Sequence, residues 1–150
     1  MKKKEPAKKA KLLTNTLVTT GRSQGEEIVI ALLRLNFPGI KIERNDKSVL
    51  GRQEIDVHLV DYKIAIEIDG ITHSKPIYGQ KRFEESVARD IKKETRLLEL
   101  GFLLYRIDIG PVEKEKLYSF IKNHMTTSLI PELKEVIPFR SLSSLPHQTL

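Results

Sequence analysis

The chain has no cysteine, so it can form no disulfide and offers no thiolate zinc site. A cytoplasmic, reducing setting is the compartment that fits. It has no apolar run near the roughly 18 residues needed to cross a bilayer, and no membrane partner is expected. The N-terminus is lysine-rich and lacks an apolar signal region, which argues against secretion. No internal repeat is visible. Hydrophobic residues make up 39% of the 150, an ordinary share for one globular domain with a core of its own.

Positive charge is in excess, at a formal +6. Its placement says more than its size. Residues 1–11 carry six lysines against Glu5 alone, a net +5 that leaves about +1 for everything else. The body is nearly neutral, and residues 1–20 read as a basic, flexible tail. Such a tail gathers phosphate by counterion release, or simply solubilises the chain.

The body alternates helical and extended patterns. Ser23, with Glu26 three residues on, reads as a capping box opening a helix over about 24–36, which Pro38-Gly39 ends. Ile40–Glu43 alternates as a first strand. Ile55, Val57 and Leu59 alternate with Asp56 and His58 as a second, and Ile64–Asp69 returns as its hairpin partner across Asp61-Tyr62-Lys63. A long helix over about Gln80–Leu100 presents Phe83, Val87, Ile91 and Leu98 as one stripe, with Gly101 as its cap. A buried strand over 102–107 and a helix over about 113–125 follow. Pro131, Pro138, Pro146 and a serine-rich run make 126–150 an irregular extension, with room for one short helix near 131–136. The domain proper is then 21–125. The expected fold is α/β (α+β): a mixed β-sheet containing a β-hairpin and flanked by helices, with the last two strands parallel across the long helix.

Acidic residues inside apolar strands are the first chemical signal. Asp56 sits between Ile55 and Val57, and Glu67 and Asp69 alternate with Ile66 and Ile68. A turn centred on Asp61-Tyr62 places Asp56 opposite Glu67 on one face. Two facing carboxylates repel unless a cation neutralises them, and hard oxygen donors suit Mg²⁺ or Mn²⁺. The competing reading is two solvated acids on a polar face. His73 follows Gly70 closely, within reach of proton-transfer chemistry near neutral pH if the loop folds back. Asp90, on the inner flank of the long helix, is placed to orient that histidine or to pair with Lys92 or Lys93. Glu26 and Glu27 lie in the first turn of the first helix, where the helix dipole favours them whatever their role.

The run Glu54-Ile55-Asp56-Val57, then Ile66-Glu67-Ile68-Asp69-Gly70 with His73, then Asp90 with Lys93, resembles the Vsr-like branch of the PD-(D/E)XK nucleases. That branch includes the very-short-patch mismatch repair endonuclease and the EDxHD homing endonucleases. The resemblance spans about residues 23–108, including helix and strand order. It implies a restriction-endonuclease-like core and a metal-dependent DNA endonuclease using Mg²⁺ or Mn²⁺. Asp56 would be the central ligand, Glu67 would share the ion, and the Ile68 backbone carbonyl would add a third donor. His73 would move the proton, Asp90 would partner it, and Glu26 or Glu27 would orient metal-bound water.

Two departures stand out. Asp69 occupies the position of the superfamily's lysine, so Lys93 or His73 would have to supply that charge. With neither cysteine nor tryptophan, and with Thr72 where relatives often carry an aromatic, mismatch recognition has no support. Arg52, Lys75, Lys81, Arg82 and Lys93 flank the site as phosphate contacts or as solvated charges. A monomer would nick and a homodimer could break both strands. The rival readings are a non-catalytic nucleic-acid-binding domain on the same fold, and an interaction protein docking by its basic tail.

Overall fold

The computed structural model describes residues 21–70 and 76–141. The basic tail, His73, Lys75 and residues 142–150 lie outside the described residues.

Helix α1 (Gly21–Asn36) leads into strands β1 (Ile42–Asp46), β2 (Ile55–Leu59) and β3 (Ile64–Gly70). Helix α2 (Gln80–Glu99), strand β4 (Leu103–Gly110) and helix α3 (Leu117–His124) follow, and a π-helical segment (Met125–Leu129) runs on into α4 (Ile130–Arg140). The sheet order is β1-β2-β3-β4, antiparallel through the first three strands and parallel between β3 and β4. The fold is therefore mixed α+β, a four-stranded mixed sheet flanked by helices, as its patterning implies. Among the described residues no helix is long and apolar enough to cross a membrane.

Alternation along the strands builds two layers. Val57, Leu59, Ile64, Ile66, Ile68, Ile107 and Ile109 face α1, α3 and α4 and form the larger core with Val29, Leu33, Ile121 and Leu133. Each fully buried aliphatic side chain contributes roughly 1.5–3 kcal/mol. Gly25 lets α1 lie close on this face, because a Cβ there would come within 3.1 Å of the Ile68 side chain. Under α2 lies a small apolar patch, in which Ile55, Ala65 and Phe102 cluster with Leu97 of the helix. Beyond that patch the opposite face carries the polar residues Asp56, His58, Glu67, Asp69 and Arg106, the odd and even positions separating as a pleat requires.

Several expectations are corrected. Ser23 does not cap α1, since the helix already includes Gly21; its carbonyl and hydroxyl instead accept from the Arg44 guanidinium at 3.1 and 3.2 Å. The first strand begins at Ile42, because its ladder with β2 sets the bounds: Ile42 pairs with Leu59 and Asp46 with Ile55, while Ile40 is still in the turn, bonded to the Phe37 carbonyl.

Helix α2 is rotated relative to its predicted stripe. Ile91 and Leu98 are 59% and 57% exposed, and Leu97 is the buried residue. Asp90, Lys93 and Leu97 share one face at i, i+3 and i+7, and turning Leu97 onto the sheet brings the two charged residues inward with it. Gly101, at φ +88°, closes this helix, and the Phe102 N–H returns to the Leu97 carbonyl as a glycine cap should.

Residues 126–140, expected to be irregular but for one short helix near 131–136, are helical throughout. Pro131 stands in the first turn of α4, directly after the π-helical segment, and Pro138 lies inside the helix. Met125, Leu129, Ile130 and Leu133 are buried in the main core, which outweighs the local cues against helix. Arg140 then donates to the carbonyls of Tyr62, Lys63 and Gly101, fastening α4 to the hairpin turn and to the end of α2.

Candidate active site

The hairpin register pairs Val57 with Ile66 and Leu59 with Ile64. Continued one step, it sets Asp56 opposite Glu67. Here side chains replace the backbone ladder. Glu67 Oε2 accepts the Asp56 N–H at 3.1 Å, and Asp56 Oδ2 accepts the Ile68 N–H at 2.9 Å. The two carboxylates thus lock β2 to β3 where the strands part. They are nearly buried, at 3% and 4% exposure. An extended residue presents its N–H and C=O on the same edge, so the Ile68 carbonyl faces this opening too.

Lys93 reaches down from α2 and its Nζ donates to Glu67 Oε1 at 2.5 Å. Burial first, and then the charge of Asp56, push the Glu67 carboxyl up to about 7, with Lys93 opposing the rise. The site holds more negative charge than one lysine offsets.

Behind Glu67 on the same face, Arg106 of β4 donates to both Asp69 oxygens at 3.2 and 3.3 Å and lies 4.0 Å from Glu94. Burial works against the Arg106 charge, but Asp69, then Asp90 and Glu67, hold its pKa above the ordinary value. Asp69 is therefore taken up by Arg106, and the ammonium on the central acid comes from a helix.

An open cleft of about 380 Å³ sits over these groups, lined by Asp56, Glu67, Asp69, Asp90, Lys93 and Arg52 among others. Arg52 arrives on the 47–54 loop, which is held at both ends. Asp46 accepts the Ser48 N–H at 2.8 Å and binds His58 Nδ1 at 2.7 Å, and Gln53 donates to the Arg89 carbonyl at 3.4 Å. Burial alone would raise Asp46, but the His58 ring and the Ser48 N–H hold it below its ordinary value.

Of the predicted site residues, the structure brings Asp56, Glu67, Ile68, Asp90, Lys93 and Arg52 together. Glu26 and Glu27 do not line the cleft; on α1 they are bound by Arg44 of β1 at 2.9 and 3.1 Å. Lys81 and Arg82, in the first turn of α2, do not line the cleft; Arg82 lies 5.9 Å from the Tyr78 ring centroid. His73 and Lys75 lie outside the described residues.

Sequence reasoning overlooked Arg106 and Arg89. Arg106 carries the same signal as Asp56, a charge inside a buried strand, and the parallel register sets it beside Glu67. Arg89 has no such signal, being one of many charges on an exposed helix.

No family model matches this chain, and neither a curated protein nor a solved structure matches it.

Asp56 and Glu67 supply oxygen donors of the kind a hard divalent ion takes. Among the described residues no group of three histidine or carboxylate donors is arranged around a common point. Mg²⁺, however, is commonly held by one or two carboxylates, completed by water and substrate phosphate oxygens. Two buried, mutually repelling carboxylates at the floor of an open cleft meet that description.

Proposed function

We propose that the protein is a metal-dependent DNA endonuclease with a restriction-endonuclease-like core, hydrolysing phosphodiester bonds. The observation that carries this reading is the buried Asp56–Glu67 pair, interlocked across β2 and β3 and met by Lys93. A purely structural use of these positions would favour neutral or apolar residues, since burying two adjacent carboxylates costs free energy that one lysine does not recover. The resemblance to Vsr-like nucleases points the same way.

Asp56, Glu67 and the Ile68 carbonyl would hold Mg²⁺ or Mn²⁺. Once bound, the ion supplies Lewis-acid stabilisation of phosphate charge and a more acidic water. The chain's own groups do the rest. Lys93 favours the ionised form of Glu67 against burial and the charge of Asp56, and adds positive charge where the pentacovalent phosphorus develops negative charge. Arg52 at the cleft wall positions a neighbouring phosphate. His73, in the role the resemblance implies, relays a proton. Water oxygen bonds to phosphorus, the bond from phosphorus to the 3′ oxygen breaks, and that oxygen takes a proton. The products are 5′-phosphate and 3′-hydroxyl ends.

End-group analysis of a labelled DNA duplex tests this reading. Incubation with Mg²⁺ or Mn²⁺ should yield 5′-phosphate ends, should need the metal, and should be lost on His73→Ala. Products with 3′-phosphate ends, or cleavage in excess chelator, would overturn the reading. Tight, salt-sensitive binding without cleavage would favour the binding-module alternative on the same fold.

A further inference from the structure

A second groove, about 760 Å³, opens beside the carboxylate cleft, between the 47–54 loop and the outer flank of α2. Arg52, Gln53 and Arg89 line both spaces, so the groove continues the cleft. Beyond them it is lined by Leu50, Lys92, Thr95, Arg96 and Glu99, the last 3.4 Å from Arg96. The four cations belong to exposed stretches of chain. The acids of α2 fall partly elsewhere: Asp90 lines the carboxylate cleft, and Glu94 lies near Arg106.

We propose that this groove guides one strand of the bound DNA away from the carboxylate cleft, with Arg52 and Arg89 at the junction and Lys92 and Arg96 on the outgoing phosphates. The inference rests on the endonuclease reading and adds the path of the substrate. Arg89 and Arg96 are seven residues apart on one helix, about 10 Å along its axis. A span of about 10 Å is long enough for the two ends of this flank to meet different phosphates of one strand. Long cationic side chains on aliphatic stems, without base-sized aromatic platforms among them, suit the backbone and not the bases. Binding through the groove is therefore independent of sequence.

The test is fluorescence anisotropy of a labelled DNA duplex over a series of salt concentrations, on the full chain without added metal. Lys92→Glu/Arg96→Glu is compared with Lys122→Glu/Lys134→Glu, an equal charge reversal on exposed positions of α3 and α4 across the sheet. Lys92→Gln/Arg96→Gln guards against effects of the introduced acids, and Mn²⁺ titration reads the carboxylate cleft independently. The groove variants should bind roughly tenfold or more weakly, with a salt dependence shallower by about two phosphate contacts, while Mn²⁺ affinity stays native and the control binds DNA as the native chain does. Groove variants that bind like the native protein, or a control that loses as much, would overturn the strand path and leave the endonuclease reading standing. A native chain that neither binds nor cuts DNA would overturn both.

Discussion

Asp56 and Glu67 face each other across β2 and β3, and each carboxylate accepts an N–H from the opposite strand, at 2.9 and 3.1 Å. The same two groups that close the sheet at this point also form the floor of the cleft. Their structural and chemical roles can be separated by experiment.

Asp56→Asn keeps an oxygen to accept the Ile68 N–H and removes the repulsion with Glu67. In metal-free buffer its urea midpoint should match or exceed the native value. Metal-dependent cleavage should fall about 100-fold or more, the scale on which losing one charge-stabilising group is felt. Asp56→Ala, which leaves the buried N–H without its acceptor, should cost about 1–3 kcal/mol of stability as well.

The Glu67 carboxyl gives the fold a pH dependence of defined sign. Its pKa rises on folding, from the ordinary 4.5 to about 7, so the folded state binds the proton more tightly than the unfolded chain. Stability present below about 4.5 is then lost as pH climbs through about 7, by roughly 3 kcal/mol at most for a shift of this size. Urea unfolding of the metal-free protein at about pH 5 and about pH 8 reads this directly. Added Mn²⁺ should reduce the loss at the higher pH, because the ion binds the ionised carboxylate.

Lys93→Met removes the cation that opposes the rise in Glu67. The carboxyl should then hold its proton to higher pH, so the variant loses more stability than the native chain between about pH 5 and about pH 9. The alkaline rise in any metal-dependent cleavage should shift upward with it. Lys93→Arg should restore part of both. An unchanged pH profile would mean that Lys93 and Glu67 are not coupled.

Arg44 ties the start of α1 to β1 through Glu26, Glu27 and Ser23. Arg44→Met leaves the 2%-exposed Glu26 without that partner and should cost about 2 kcal/mol, on the scale of a hydrogen bond to a charged group. Adding Glu26→Gln should recover part of the loss. A double-mutant cycle on urea midpoints measures the coupling, and additive effects would count against it.

How far this site could be read from sequence depends on how local its determinants are. The facing of Asp56 and Glu67 follows from a short hairpin, because one turn sets the register and alternation sets the face. The parallel β3–β4 pair follows from a long helix between two strands. Arg44 was not legible as the partner of Glu26 and Glu27, because that contact joins residues 18 and 17 apart through helix packing. The rotation of α2 was not legible either. Val87, Ile91 and Leu98 make a plausible apolar stripe, but the sheet below offers only a small apolar patch for Leu97 and a polar surface for Asp90 and Lys93. The extent of the helix over 126–140, beyond the short stretch expected near 131–136, was hidden by proline and serine, whose local cost is small beside the burial of Met125, Leu129 and Leu133.

The most direct measurement is cleavage of supercoiled plasmid by the native chain, Asp56→Asn and Lys93→Met, each verified as folded, with Mg²⁺, with Mn²⁺ and with chelator. The native protein should show metal-dependent nicking or linearisation, abolished in Asp56→Asn and reduced in Lys93→Met near neutral pH. Intact plasmid under every metal condition, or cleavage by Asp56→Asn at the native rate, would contradict the endonuclease reading.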